Sequence, residues 1–124
     1  MAKVLSVSYD ANLLRTRALL LESAGYEVTS ALGYREAIRV CSEPFDVAVI
    51  GHSIPKEEKL AVVECFRKAN PKAPVIALTS ALEYPLKEVD YYADPWEPKN
   101  LARSVTWVLN PASGQLPTGL RRVK

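Results

Sequence analysis

Residues 45–55 read FDVAVIGHSIP, and this stretch decides the fold. The apolar residues 47–50 are followed by a short polar loop that ends in an isoleucine and a proline. A continuous apolar run of this length, bounded by turn-forming residues, is typical of a strand that helices cover on both faces. The stretch therefore predicts a central strand of an α/β domain, with Gly51 at its carboxyl end.

The rest of the chain alternates short apolar runs with segments of helical period. Further strands are predicted at residues 4–7, 27–31, 75–78 and 89–92. Strands that alternate with helices in this way are typical of a parallel sheet with crossover helices. The predicted fold is therefore flavodoxin-like, a doubly wound sheet of five parallel strands in the order 2-1-3-4-5.

The predicted helices carry apolar residues at a spacing of three or four. They cover residues 12–24, 34–41 and 56–69, and a last helix begins at Pro98 and ends before residue 110. Asp10 or Asn12 is the predicted cap of the first of them. Only residues 80–88 are available for a helix between the fourth and fifth strands, and Pro85 interrupts them. This fourth helix is therefore predicted to be short or irregular.

Composition predicts one domain with a short appendage. The 124 residues are 48% hydrophobic and 24% charged, which suits a single domain over residues 1–110. Residues 111–124 lack a sustained apolar period and are predicted to form a flexible basic tail. A net charge of +2 is too small to predict nucleic-acid binding, and no apolar stretch is long enough to span a membrane.

The two cysteines bear on the cellular compartment. Cys41 and Cys65 both fall in predicted helices among apolar residues. Small buried thiols of a reduced protein explain this placement more simply than a disulfide or a metal pair. We therefore expect free cysteines and a cytoplasmic protein without a signal peptide.

Several stretches together resemble the receiver domains of response regulators, which act in two-component and phosphorelay signalling. They are residues 3–13 (KVLSVSYDANL), 22–28 (ESAGYEV), 45–46 with 54–55 on either side of the third strand, and 74–80 (PVIALTS). No single stretch is very specific, but all of them occur in the expected order and spacing. The resemblance covers residues 3–109 and supports the five-stranded fold.

The resemblance implies a phosphotransfer site whose groups are missing here. In the family, two acids after the first strand hold Mg²⁺, and an aspartate on the third strand accepts the phosphoryl group. A hydroxyl follows the fourth strand, and a lysine before a proline follows the fifth. Only the hydroxyl is kept, since the positions in that order are Ser8, Tyr9, Gly51, Thr79 and Asp94. We expect no phosphorylation, no metal, no other cofactor and no enzymatic activity.

Neighbouring residues offer little to replace the missing groups. Asp10 lies one residue beyond the acid pair, where a strand would turn it to the other face, and it is expected to cap a helix. His52 and Ser53 follow Gly51 and could carry a phosphoryl group, although a loop histidine is more commonly solvated or hydrogen-bonded. Asp46 begins the third strand at the opposite edge and is expected to be structural.

These observations favour a non-phosphorylatable, receiver-like module, a pseudo-receiver, that acts by protein–protein contact. The partner is another protein or a second copy of the chain, with no role for nucleic acid or membrane. Four aromatic residues near the interrupted fourth helix are candidates for the partner site, namely Tyr84, Tyr91, Tyr92 and Trp96. It is equally consistent with the sequence that these rings turn inward and fill the space of the shortened helix.

Two other functions remain open. The first is a small-ligand or nucleotide-binding flavodoxin-like domain, because such sheets bind ligands at the carboxyl edge of their strands. The loop at residues 8–12 has no glycine, however, and Tyr9 would crowd a phosphate. The second is a switch in which a ligand or a change of partner, rather than phosphorylation, biases the loop at Thr79.

Overall fold

The computed structural model describes residues 1–79, 87–95, 98–111 and 115–123. The strands are β1 (Lys3–Ser8), β2 (Glu27–Leu32), β3 (Val47–Ile50), β4 (Val75–Leu78), β5 (Tyr91–Ala93) and β6 (Leu120–Arg122). The helices are α1 (Ala11–Ser23), α2 (Gly33–Val40), α3 (Lys56–Ala69) and α4 (Pro98–Leu109). Most of the segment predicted as a short fourth helix, residues 80–88, lies outside the described residues.

The strands form one sheet in the order β2-β1-β3-β4-β5-β6. The first five pair in parallel, which confirms the predicted order 2-1-3-4-5. β6 adds an antiparallel strand at the outer edge. Because parallel neighbours end at the same edge of a sheet, the residues that follow β1, β3, β4 and β5 are brought together there.

Helices cover both faces of the sheet, as the continuous apolar runs predicted. α2 and α3 pack with Leu5 and Val7 of β1 in one buried cluster. α1 and α4 pack with Val4 and the alternate residues of the central strands in the other. Since successive strand residues point to opposite faces, Ser6 and Ser8 lie on the Val4 side, toward α1 and α4.

The ends of the first crossover follow the sequence signals. The carboxylate of Asp10 accepts the backbone N–H groups of Asn12 and Leu13, at 2.9 and 3.1 Å, and so caps α1 as expected. Gly25 has a φ of +97° where the chain leaves the helix for β2. At the opposite edge of the sheet, the Asp46 carboxylate accepts the N–H of Lys3 at 2.7 Å, which is the structural role predicted for it.

β6 lies within residues 111–124, the segment that the sequence predicted to be a flexible basic tail. Leu120 is only 3% exposed and belongs to the α1–α4 cluster. Arg122 lies over the Trp107 ring, with 5.4 Å between its guanidinium carbon and the ring centroid. Leu120, Arg121 and Arg122 pair with the open edge of β5, and a strand of three residues is too short to show a period in the sequence.

The cysteines also depart from expectation, since Cys41 and Cys65 form a disulfide. Cys41 caps the end of α2, Cys65 lies in α3, and their Cα atoms are 6.0 Å apart. That distance is ordinary for a disulfide. The pairing depends on how two helices dock, and their spacing of 24 residues gave no sign of it. The bond removes the support that free thiols gave to a cytoplasmic location.

Candidate functional site

The positions implied by the resemblance meet at the carboxyl edge of the sheet. Ser8 is the last residue of β1, Gly51 and Thr79 directly follow β3 and β4, and Asp94 directly follows β5. The edge is held together by the backbone, where the Thr79 N–H donates to the carbonyl oxygen of Ala93 at 3.0 Å. The fold therefore brings together the positions that the resemblance implied, and the chemistry of this edge depends on the side chains at those positions.

Position 51 has no room for a side chain. The backbone N–H of Gly51 donates to the carbonyl oxygen of Val7 at 2.7 Å. A Cβ atom at position 51 would lie 2.8 Å from that oxygen and 3.3 Å from the Cβ and Oγ of Ser8. Such a contact with backbone requires the strands to shift. Position 51 therefore lacks the side chain that accepts the phosphoryl group in the family. β1 also occupies the space that a side chain at this position would need.

Ser8, at the first of the two acid positions, stabilises the local backbone. Ser8 is buried, and its Oγ accepts the backbone N–H of Asp10 at 3.0 Å. The carboxylate of Asp10 is in turn used by the first amides of α1. A serine and a capping aspartate thus stabilise the β1–α1 turn, and neither offers a carboxylate toward Gly51.

Tyr9, at the second acid position, bridges two helices. Its hydroxyl donates to a carboxylate oxygen of Glu58, in the first turn of α3, and accepts the N–H of Tyr34 at 3.3 Å. The ring lies against Gly33, where an added Cβ would come within 2.9 Å of the Tyr9 Cε1 atom. Gly33 also has a φ of +85°, so glycine suits this position twice over.

The bridge changes the acidity of the phenol. The hydrogen bond to Glu58 raises the pKa of Tyr9 above its ordinary value of 10.0, while the N–H of Tyr34 acts in the opposite direction. A neutral hydroxyl donates to the carboxylate, whereas a phenolate would repel it. Tyr9 is therefore a neutral cross-brace between α2 and α3, and its ring remains 47% exposed.

The edge does not fit Mg²⁺. This ion needs several oxygen ligands, usually carboxylates, in octahedral arrangement. Here the Ser8 hydroxyl and the Asp10 carboxylate serve the β1–α1 turn, and Gly51 supplies no ligand atom. Across the described ranges, no group of three or more His, Cys, Asp or Glu side chains could hold a metal ion.

The remaining positions are changed by their surroundings. Thr79 is 5% exposed, and its Oγ1 has no hydrogen-bond partner among the residues described. Asp94 is exposed, and its N–H donates to the carbonyl oxygen of Gly119, just before β6, at 3.3 Å. The C-terminal segment thus lies beside the position where the family has its lysine. His52 is half-buried and Ser53 is exposed on the loop after Gly51.

The aromatic candidates are divided by the fold. Tyr91 turns inward, with its ring edge-on to Trp107 at a centroid distance of 6.0 Å. Tyr92 points to the other face of β5 and is half-buried. Tyr84 and Trp96 lie outside the described residues. Of the two rings that the structure describes, Tyr91 therefore packs inward and Tyr92 is half-buried.

Sequence reasoning missed Arg17, which is 1% exposed in α1. It occupies the buried stripe of that helix with Leu14 and Leu21. The signal was present, because positions 14, 17 and 21 share one helical face. An arginine between two apolar residues on the same helical face indicates that its charge is buried with them.

Comparison with solved structures identifies the architecture. The Francisella response regulator 1452 receiver domain superposes with a TM-score of 0.74 at 25% identity, over 88% of this chain and 97% of that one. The BeF3-activated DrrB receiver domain gives 0.73 at 27%, over 88% and 97%. The chemotaxis response regulator CheY4 of Vibrio cholerae gives 0.74 at 25%, over 87% and 98%. No family model and no curated protein matches the sequence.

Proposed function

We infer, from the fold that this chain shares with response regulator receiver domains, that it is a receiver-like module of two-component signalling that does not accept a phosphoryl group. The observation that carries this proposal is the lack of space at Gly51, where a Cβ would be 2.8 Å from the Val7 carbonyl oxygen. Loss of the aspartate alone could be reversed by one substitution. Loss of the space for a side chain at position 51 could not be reversed in this way.

The other positions support the same conclusion. Phosphoryl transfer depends on cations that neutralise the charge developing on the transferred group. Ser8 and Tyr9 supply no carboxylate for a metal, and Asp94 puts a negative charge where the family has a positive one. In the family, the hydroxyl at the position of Thr79 binds the phosphoryl group. Without that group, the hydroxyl has no ligand whose presence it could signal. Neither phosphotransfer nor another enzymatic activity is therefore part of the proposal.

A receiver fold without phosphorylation acts by what it binds. We propose a protein partner, or a second copy of the chain, and no membrane. No helix within the described ranges is long and apolar enough to cross one. The candidate face is the region of β5 with Tyr92. Tyr84 and Trp96, which the sequence proposes for the same contact, lie outside the described residues. β6 now forms the edge of the sheet there, so the contact surface includes residues that the sequence assigned to a tail.

Beryllofluoride with Mg²⁺ tests the first part of the proposal. Amide NMR spectra are recorded with and without these reagents, and with acetyl phosphate, using a phosphorylatable receiver as positive control. We expect no shift at Gly51, Thr79 or their neighbours, and no gain in mass after acetyl phosphate. Saturable shifts centred on these residues would overturn the proposal.

The second part is tested by assembly. Light scattering over a range of concentrations reports self-association, and cross-linking followed by capture reports other partners. Replacing Tyr92, Tyr84 or Trp96 by alanine should weaken the contact. Leu19→Ala is the matched control, because Leu19 is exposed on α1, a helix that packs against β1 and β2. If only the control changes the contact, the proposed face is wrong.

A further inference from the structure

Arg17 is a buried cation whose two terminal nitrogens have no hydrogen-bond partner among the described residues. Both terminal nitrogens of its guanidinium, Nη1 and Nη2, are inaccessible to solvent and unpaired within the described part of the chain. Removing an ion from water without a counter-ion is strongly unfavourable. Ordinary packing does not offset such a cost, so we expect the two nitrogens to donate hydrogen bonds to an acceptor.

A second orphaned donor lies in the same layer. The Oγ of Ser6 is fully buried and also lacks a partner among the described residues. Val4 and Leu21 belong to one core cluster, and α1 runs antiparallel to β1 because it connects two parallel strands. Moving from Leu21 to Arg17 rises about 6 Å along the helix, and moving from Val4 to Ser6 rises about 7 Å along the strand. Arg17 and Ser6 therefore lie at similar distances from Leu21 and Val4, in the same direction along the sheet, on the α1–α4 side of β1.

No carboxylate in the surrounding elements neutralises this charge. β1 and α4 contain no acidic residue, and the charged residues of α4, Lys99 and Arg103, are cations. Burial lowers the pKa of Arg17, and the charge of Asp10 opposes that effect only in part. The Asp10 carboxylate is held by the first amides of α1. The layer thus has a fixed positive charge and three donor groups that face no acceptor.

We propose that a small inorganic anion of the size of chloride binds between α1, β1 and α4, held by the guanidinium of Arg17 and the hydroxyl of Ser6. An anion supplies both the missing acceptor and the missing charge, whereas a water molecule supplies only the acceptor. Both side chains are at most 1% exposed, so the ligand is a small ion rather than a nucleotide or a phosphorylated metabolite. This site is separate from the carboxyl edge and independent of phosphorylation.

Thermal unfolding in different sodium salts tests the site. At constant ionic strength, replacing gluconate by chloride should raise the unfolding midpoint of the wild-type chain by about 4 °C or more, because a ligand that binds only the folded state stabilises it. Arg17→Met should abolish the difference between the salts, and Ser6→Ala should reduce it. Arg15→Met, which removes an exposed arginine of the same helix, should leave it unchanged.

Crystals grown in bromide give a direct readout. An anomalous peak within hydrogen-bond distance of the Arg17 guanidinium is expected in the wild-type chain and not in Arg17→Met. Equal responses of the two chains to chloride, or a wild-type crystal without the peak, would overturn the proposal. Glu97 precedes α4 and lies outside the described residues, so Glu97→Gln completes the set. If this variant acquires a chloride response that the wild type lacks, Glu97 is the counter-ion and the anion site is refuted.

Discussion

Gly51 donates its N–H to the carbonyl oxygen of Val7 at 2.7 Å, and a Cβ on Gly51 would lie 2.8 Å from the same oxygen. One backbone contact thus holds β1 against the end of β3 and excludes every side chain from the acceptor position. The proposed loss of phosphorylation is in this way linked to the packing of the sheet.

Substitution of Gly51 should therefore be destabilising. Gly51→Ala is expected to lower the free energy of unfolding by about 1–3 kcal/mol, because the strands must separate around the added methyl group. Gly51→Asp should cost more, since its carboxylate would face a carbonyl oxygen. Urea unfolding measures both, and Ser53→Ala, two residues on and exposed, should stay within about 0.5 kcal/mol of wild type. A stable Gly51→Asp protein that acetyl phosphate modifies would contradict this account.

The Tyr9 bridge predicts a pH dependence at the alkaline end. Glu58 raises the pKa of the phenol in the folded state, so the folded chain holds this proton more tightly than the unfolded chain. The stabilisation is fully present below pH 10, the ordinary pKa of tyrosine, and is lost as the pH rises through the higher folded value. Carbon-13 NMR of the tyrosine ring, assigned with Tyr9→Phe, follows the titration. Glu58→Gln should lower the pKa of Tyr9, and an unchanged value would show that the bridge does not set it.

Replacing Arg17 should stabilise the chain. In gluconate buffer, Arg17→Met is expected to raise the free energy of unfolding by about 1–4 kcal/mol, because methionine fills similar space without a buried charge. Chloride should reduce the difference in unfolding free energy between the two chains, because it stabilises only the wild type. Arg15→Met, on the exposed side of α1, should remain within about 0.5 kcal/mol. A large loss of stability in Arg17→Met under chloride-free conditions would mean that the guanidinium already has a counter-ion.

The sequence predicted the central sheet because its strands carry their own signal. β3, β4 and α3 have the predicted bounds, since each is a continuous pattern between turn residues. β6 carries no such signal, because its three residues become a strand only through pairing with β5. The disulfide is similar, as it depends on the docking of α2 against α3. Contacts between distant segments were therefore the part that sequence patterns could not supply.

For the site, the resemblance located the positions and could not describe their environment. That Gly51 lacks an acceptor follows from the residue type. That its space is closed by Val7 depends on the separation of two strands, and that Tyr9 joins Glu58 to the start of α2 depends on the docking of two helices. Arg17, outside this site, was missed although its position on the helical face of Leu14 and Leu21 was visible in the sequence.

The disulfide predicts a redox-dependent stability. Reduction, or Cys41→Ser with Cys65→Ser, should lower the free energy of unfolding by about 3 kcal/mol, because an unfolded chain with a closed loop of 24 residues has less entropy. Urea unfolding with and without reductant measures the difference, and the double variant, which has no bond to break, should not respond to reductant. Intact mass under non-reducing conditions is the direct check. Two free thiols in the native protein would contradict the bond.

β6 predicts that the C-terminal segment contributes to stability. Leu120→Ala is expected to lower the free energy of unfolding by about 2–5 kcal/mol, because Leu120 fills the α1–α4 core. Arg121→Ala is the matched control, since the neighbouring side chain is exposed and should matter little. Amide hydrogen exchange adds a local measurement, in which the Asp94 N–H, bonded to the Gly119 carbonyl, should exchange faster when β6 is weakened. Equal effects of the two substitutions would show that the strand is not packed on the sheet in solution.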